Sequence, residues 1–234
     1  MNAAALLALQ KIDSAIDAVA NRRVRLPEIA VRRDAAAALA AHRTAVAEQQ
    51  RIIADAQMRI DASEKSSHDI EVKKNRLEAQ LKTVIAPREA EALMSEIRTL
   101  DAQRGELDEV ELVAMEEQAS AEAAMAALRE AEPALTDALA GAEAALASAN
   151  AALDAEQASL TDQRTAAAGS LDAAELAAYE SARSRFSGVA VASLDGHRCS
   201  GCNLDLSPAE VDEVKRAPAG EPAECPQCAR YLVR

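Results

Sequence analysis

The stretch Leu93–Leu128, LMSEIRTLDAQRGELDEVELVAMEEQASAEAAMAAL, places an apolar side chain at every seventh residue. The row consists of Leu93, Leu100, Leu107, Ala114, Ala121, Leu128 and then Leu135. A further row follows through Leu139, Leu146, Leu153 and Leu160. A repeat of this period is typical of helices that wind around a partner helix, and the small alanines indicate a close approach between the two helices.

The segment that precedes this stretch carries the same repeat and supplies a partner helix. Its main row is Leu39, Val46, Ile53, Ile60, Ser67, Lys74 and Leu81, and a companion row runs through Ala56, Ile70, Leu77 and Val84. Pro87 suits the first turn of a new helix and disfavours helix at Ala86, so the chain turns near residues 84–88. We therefore predict a mostly α fold, with a long antiparallel coiled-coil hairpin over residues 1–168. An intermolecular coiled coil is the alternative.

Two further prolines divide the long segments. Pro27 separates a short amphipathic helix from the first long helix. Pro133 lies inside the second long helix and removes one backbone hydrogen bond, so a kink is predicted there.

Composition and charge narrow the functional classes. The 234 residues are 50% hydrophobic but only 1% aromatic, which argues against a single thick core. The net charge is −13, divided as +3 over residues 1–84, −13 over 85–168 and −3 over 169–234. The two arms of the hairpin therefore attract each other, while the whole chain repels nucleic acid and anionic membranes at long range. Since no membrane span or secretion signal is recognisable, we expect a cytoplasmic protein.

Residues 169–234 predict a small second domain with short elements. Asp172 and Glu175 form a capping pattern for a short helix that ends near Arg185. A small hairpin is expected to start at residues 189–196, and Ser207-Pro208 predicts another short helix that begins at Pro208.

The four cysteines carry the most specific chemistry in the chain. They form two C-x2-C pairs, Cys199/Cys202 and Cys225/Cys228, separated by 22 residues. Two such turns bring four thiolates around one ion, so we predict a single tetrahedral Zn²⁺ that is structural because no ligand position is left for a catalytic water. Two disulfides, a redox-active pair and iron in place of zinc are the weaker alternatives.

No catalytic constellation is recognisable, so we predict no enzyme and no small-molecule substrate. His42 and His68 are interpreted as solvated helix residues, and His197 as an exposed turn residue rather than a donor to a thiolate. The aromatic residues Tyr179, Phe186 and Tyr231 all lie in the last quarter of the chain. They are expected to pack the small domain rather than to stack on bases.

Two groups of basic residues are candidate nucleic-acid contacts. At the hairpin tip, Lys73, Lys74, Arg76 and Lys82 are followed by Arg88. In the small domain, the candidates are Arg198, Lys215 and Arg216. The competing interpretation is that the tip residues pair with acidic residues of the facing arm, namely Glu89, Glu91, Glu96 and Asp101. From Phe186 onward the small domain has a net charge of −2, which does not favour nucleic-acid binding.

With these residues in hand, the chain resembles a bacterial family that joins a coiled-coil hairpin to a C-terminal four-cysteine zinc ribbon. The shared features are Leu26-Pro27-Glu28, Tyr179, Gly188-Val189-Ala190-Val191, both cysteine pairs and Arg230. Members of that family usually have Gly after the last cysteine, where this chain has Ala229.

The resemblance implies an adaptor rather than a catalyst. Some relatives are associated with flagellar gene regulation and export, through proteins and messenger RNA. We therefore expect a non-enzymatic zinc-binding adaptor that acts through protein partners of unknown identity, with DNA or RNA binding as the alternative.

Overall fold

The computed structural model describes residues 1–218 and 221–234. Its helices are α1 (Ala3–Arg23), α2 (Pro27–Leu81), α3 (Pro87–Ala168), α4 (Ala173–Arg185) and α5 (Pro208–Arg216). Its strands are β1 (Val191–Asp195), β2 (Arg198–Cys199), β3 (Ala223–Glu224) and β4 (Tyr231–Val233). The predicted mostly α fold is confirmed, with α2 and α3 as the arms of a coiled-coil hairpin and a small sheet near the C-terminal end.

The hairpin seam follows the heptad pattern. Every residue of the predicted rows is buried or partly buried, and Ala114 and Ala121 are only 0% and 4% exposed. In α2 the seam alternates strictly between steps of three and four residues from Leu39 to Leu81. It therefore also contains the polar residues His42, Gln49 and Ser63.

His42 corrects the sequence prediction, which treated this residue as solvated. It lies three residues after Leu39 on the seam and is 7% exposed. Its Nε2 lies 2.8 Å from the carbonyl oxygen of Leu128, so Nε2 carries the proton and donates to that oxygen. Its Nδ1 is buried without a hydrogen-bond partner among the described residues. His68 is exposed, as predicted.

Two compact units make up the chain. One contains Met1–Val31 and Glu143–Arg234, and the other contains Arg32–Ala142. In the second unit, polar bonds join the two arms along the seam: Lys74 pairs with Asp101 at 2.5 Å, and Gln118 donates to Gln57 at 3.0 Å. α3 runs through Pro133 without a break, and the kink predicted there stays a prediction, as does a domain boundary at residue 168.

In the first unit, helices pack against the sheet, whose strand order is β2-β1-β4-β3. β1 pairs with β4 in parallel, whereas β1–β2 and β3–β4 are antiparallel. α4 starts at the predicted capping box on Asp172 and Glu175, and α5 starts at Pro208 as expected. The core here is formed by Ala3, Leu6, Leu9, Tyr179, Ala182, Ala190, Val191 and Val233.

Asp13 is the centre of a buried polar cluster in this unit. Its carboxylate is 1% exposed and accepts hydrogen bonds from Tyr179 Oη at 2.7 Å and from Arg164 Nε at 2.6 Å. Arg183 Nε lies 3.5 Å away. Burial, and then the bond to Asp13, raise the pKa of Tyr179 above its usual range, so its hydroxyl stays a donor. The cluster ties α1 to α4 and to the last turns of α3.

Gln10 fixes the start of β1 to α1. Its Oε1 accepts from the backbone N–H groups of Ala190 and Val191 at 2.7 and 3.1 Å. Its Nε2 donates to the carbonyl oxygen of Gly188 at 2.9 Å. These bonds satisfy backbone groups that a neighbouring strand would otherwise pair.

Within the described residues, we find no helix whose length and apolar character would allow it to cross a membrane. The predicted cytoplasmic location stays a prediction.

Candidate metal centre

The two C-x2-C pairs form matching turns. In the first, Asn203 N–H donates to Cys199 O at 2.8 Å, and Cys199 N–H donates to Leu204 O at 3.1 Å. In the second, Ala229 N–H donates to Cys225 O at 2.8 Å, and Cys225 N–H donates to Arg230 O at 2.9 Å. Each turn therefore presents its two sulfurs on the same side, as a zinc knuckle requires.

The four sulfurs meet as one cluster. All four Sγ atoms lie within 4.8 Å of one another, and Cys199 and Cys225 are buried. A tetrahedral ion with Zn–S bonds of about 2.3 Å separates its sulfurs by about 3.8 Å, so a small contraction closes this set around one zinc. The four cysteines thus form one structural Zn²⁺ site, as the sequence predicted. A disulfide is not formed, because all four are free thiols here.

The protein environment raises the pKa of some of the four thiols and lowers the pKa of another. Burial raises the pKa of Cys225 to about 12 and also raises the pKa of Cys202. Burial opposes ionisation of Cys228 as well, but hydrogen bonds from the backbone and side chain of Arg230, and from the thiols of Cys225 and Cys202, outweigh it and lower the pKa of Cys228 to about 7. Zinc must therefore displace protons from the buried thiols when it binds.

The residue after each pair has a left-handed backbone. Asn203 and Ala229 both have φ of 58°. Asparagine adopts this conformation readily, but alanine does so only at a cost, which explains the glycine that the resembled family usually has at the second position. Ala229 keeps the knuckle geometry, since its N–H still bonds to Cys225 O.

Arg230 holds the zinc knuckles against the rest of the unit. Its Nε donates to Val189 O at 2.8 Å, and its guanidinium lies 5.2 Å from the ring centre of Phe186. Its side chain covers Gly201 of the first knuckle so closely that a Cβ on Gly201 would lie 2.8 Å from Arg230 Cδ. The sequence identifies Arg230 only as a point of family resemblance, because its partners Val189 and Phe186 lie 41 and 44 positions away along the chain.

A second small core lies under the knuckles. It contains Ala192, Cys199, Leu206, Val211, Val214, Cys225 and Leu232. α5 contributes Val211 and Val214, and its capping residue Glu210 also accepts from Gln227 Nε2 of the second knuckle at 2.7 Å. The helix predicted between the cysteine pairs thus supports both knuckles.

The aromatic residues pack as predicted. Tyr179 is fully buried, and Phe186 and Tyr231 pack against the same core. His197 is exposed, with Nε2 3.7 Å from Asp205, and contacts no thiolate in the residues described.

The basic residues proposed for nucleic acid lie in separate places. In the unit Arg32–Ala142, which we call the hairpin unit, Lys73, Arg76 and Lys82 are exposed and make no ion pair with any described residue, whereas Lys74 pairs with Asp101. The pairing interpretation therefore holds for one of these four residues.

In the ribbon, the candidate residues lie on different elements. Arg198 is in β2 and donates to Asn203 O at 3.0 Å, and Arg216 ends α5 and donates to Asp212 O at 3.2 Å. Lys215 is exposed beside Arg216. Whether any of these residues contacts nucleic acid stays a prediction.

Comparisons with known proteins agree with this architecture. The family model described as "CT398-like coiled coil hairpin domain" matches residues 9–187, and that described as "C4-type zinc ribbon domain" matches residues 198–232. No curated protein sequence matches the chain.

Three solved structures share the fold. A structurally characterised protein from Mycobacterium smegmatis is 21% identical, with 98% of this chain and 96% of the other covered at a TM-score of 0.84. CT398 from Chlamydia trachomatis is 23% identical, with 99% and 96% covered at a TM-score of 0.82. The HP0958 protein from Helicobacter pylori is 15% identical, with 97% and 94% covered at a TM-score of 0.59. At these identities the likeness concerns the fold alone.

Proposed function

Because this chain belongs to the CT398-like coiled coil hairpin family and carries a C4-type zinc ribbon, we propose that it is a non-enzymatic adaptor that binds other proteins. The observation that carries the proposal is the closed four-cysteine site, whose zinc serves to fold the ribbon and has no position for a substrate. Neither family description names a catalytic activity.

Hydrogen bonds fix the ribbon to the neighbouring elements, and a rigid surface favours docking of a partner. Arg230 clamps the knuckles to Val189, and Gln10 fixes the adjoining strand to α1. Within the described ribbon, the large apolar side chain exposed to solvent is Leu204, which is 52% exposed and lies directly after Asn203 in the first knuckle. Zinc thus fixes the position of an apolar contact group at the surface.

The test combines two variants that separate zinc folding from docking. Zinc-loaded protein is used to capture partners by crosslinking, followed by quantitative binding with the partner identified. Cys225→Ser opens the site and should abolish capture, while Leu204→Ser keeps four zinc ligands and should weaken binding by about tenfold. Met58→Ser, at a 63% exposed position of α2, is the matched control and should bind normally. Unchanged capture by Cys225→Ser would refute the ribbon as the docking module.

Nucleic-acid binding is a second candidate, supported by Lys73, Arg76 and Lys82, which are exposed and form no ion pair with any residue that the structure describes. It predicts that affinity for RNA or DNA falls steeply between about 50 and 200 mM salt, because phosphate contacts release counterions. Fluorescence anisotropy with the triple variant Lys73→Glu, Arg76→Glu, Lys82→Glu provides the test, because these three residues are exposed and none of them pairs with a described residue across the seam. Undetectable or salt-insensitive binding of the unmodified protein would exclude this candidate.

A further inference from the structure

Four exposed apolar residues lie close together in sequence on the part of α3 that belongs to the hairpin unit. Val110, Leu112, Val113 and Met115 are 48%, 61%, 49% and 53% exposed, although they fall within six consecutive residues. Single exposed apolar residues are normal on a protein surface, and successive positions of a helix point about 100° apart, so these four do not share one face. Leu112 and Val113 are the two that lie on the side away from the seam residue Ala114. No described residue covers them.

The same segment is strongly acidic. From Gly105 to Leu128, α3 carries no Lys or Arg. Its seven carboxylates are Glu106, Asp108, Glu109, Glu111, Glu116, Glu117 and Glu122. Within the described chain only Glu117 makes an ion pair, with Arg59 of α2. The other carboxylates of this segment are therefore available to a partner.

Helix geometry arranges four of these residues into one surface. Glu109, Leu112, Val113 and Glu116 are spaced at i, i+3, i+4 and i+7, so they are neighbours on the same face of α3. The seam residue Ala114 is fully buried, which shows that this face points away from α2. We call these four residues the outer α3 patch: two apolar side chains lie between two carboxylates about 10 Å apart along the helix.

We propose that the outer α3 patch binds a basic amphipathic helix of a partner protein. The apolar pair of the patch fits the apolar stripe of such a helix, and its carboxylates fit Lys or Arg placed one turn to either side. Charge excludes the other broad classes, because a segment with seven carboxylates and no base repels both nucleic acid and an anionic lipid surface. This inference rests on the adaptor function and adds a second binding surface, with a stated partner chemistry, to it.

The experiment uses the full, zinc-loaded chain and a defined probe. The probe is a fluorescently labelled helical peptide of about 18 residues, made of Lys, Leu and Ala with Leu on one face at i, i+3, i+4 and i+7. A peptide of identical composition with its Leu residues scattered is the matched control. Anisotropy at about 100 mM salt should give micromolar affinity for the amphipathic peptide and at least about tenfold weaker binding of the scattered one. Raising the salt to about 400 mM should weaken binding further.

Two protein variants locate the contact. Leu112→Ser with Val113→Ser should weaken binding by about tenfold, and Glu109→Lys with Glu116→Lys should weaken it at least as much. Glu89→Lys with Glu91→Lys, two exposed carboxylates elsewhere on α3, is the charge-matched control and should have little effect. Circular dichroism of each variant verifies that the helices remain folded.

The proposal is overturned if the amphipathic peptide does not bind, if the scattered peptide binds equally well, or if the patch and control variants lose equal affinity. The last two results would indicate non-specific attraction to an acidic chain. Failure here is distinct from failure of the ribbon as a docking module, because Cys225→Ser leaves the outer α3 patch intact and should bind the peptide normally. Loss of peptide binding by Cys225→Ser would contradict the placement of this site on α3.

Discussion

Replacing Asp13 with alanine should destabilise the unit formed by α1, α4 and the sheet. The carboxylate is 1% exposed and receives hydrogen bonds from Tyr179 and Arg164. Removing it leaves the fully buried Tyr179 hydroxyl without its acceptor and leaves Arg164 and Arg183 with one carboxylate fewer. The penalty comes from the Tyr179 hydroxyl left without an acceptor, and from two arginines that keep only Glu180 and Asp17 as described partners, rather than from the lost attraction itself.

The size of the stability loss in Asp13→Ala can be estimated from these lost interactions. Breaking a buried ion pair from one side costs about 3–5 kcal/mol, and a charge-assisted hydrogen bond such as that of Tyr179 contributes about 1.5–3 kcal/mol of this. In a chain of this size, a loss of about 1 kcal/mol shifts the melting temperature by about 2–4 °C, so a fall of roughly 10 °C is expected. Asp13→Asn keeps an acceptor for the Tyr179 hydroxyl, so its melting temperature should lie between those of the unmodified protein and of Asp13→Ala.

The chain offers a convenient assay and a matched control. Its two tyrosines, Tyr179 and Tyr231, both lie in this unit and there is no tryptophan, so near-ultraviolet circular dichroism during heating follows this unit alone. Asp17→Ala removes a carboxylate that is 48% exposed and pairs with Arg183 at 2.9 Å, which should cost about 1 kcal/mol or less. Equal melting shifts for the Asp13 and Asp17 variants would refute the buried-cluster argument.

Four further outcomes are expected. Ala229→Gly should stabilise the ribbon by about 1 kcal/mol, measured as resistance to a zinc chelator, because glycine relieves the φ of 58°; an unchanged or lower resistance would contradict this. Gly201→Ala should weaken zinc binding, measured by competition with a chelating dye, because the new Cβ would lie 2.8 Å from Arg230 Cδ and 2.9 Å from Ala192 Cβ; equal affinity would show that both neighbours can move. His42→Leu should raise the melting temperature measured by far-ultraviolet circular dichroism, because it replaces a ring with a buried, unpartnered Nδ1 by an apolar seam residue. A lower melting temperature would mean that the hydrogen bond from His42 to Leu128 O contributes more than burial of the unpaired Nδ1 costs. Apparent zinc affinity should fall as the pH decreases from about 8 to 6, because protons compete with zinc for the thiolates. They compete for Cys225, whose pKa is about 12, and increasingly for Cys228, whose pKa is about 7. A pH-independent affinity would argue against thiolate ligation.

The heptad rows and the cysteine spacing were sufficient to predict the hairpin and the zinc site, because both depend on short-range periodicity. His42 lies on the seam although the predicted companion row contains only apolar residues, from Ala56 onward. The strict alternation of three and four residues also places Gln49 and Ser63 on the seam. A seam position can therefore be predicted from spacing even where the residue is polar.

The polar clusters could not be predicted in the same way. Asp13 and Tyr179 are 166 positions apart, and Gln10 and Val191 are 181 positions apart. No local pattern relates such residues, so only the folded structure shows that they meet. The outer α3 patch differs, because the heptad spacing already places Leu112 and Val113 off the seam, and the structure adds that both are exposed.

The small size of the ribbon core explains why the metal matters for more than the ribbon itself. Two of its seven core residues are the ligands Cys199 and Cys225, so without zinc the core would have to bury thiols with no ion between them. β1, which lies at the centre of the sheet, is also the strand whose N–H groups bond to Gln10 of α1. Loss of zinc should therefore loosen the attachment of α1 to the sheet as well as the knuckles. Hydrogen exchange at Ala190 and Val191 with and without a chelator measures this coupling, and unchanged protection of these two amides would show that α1 holds the strand independently of the metal.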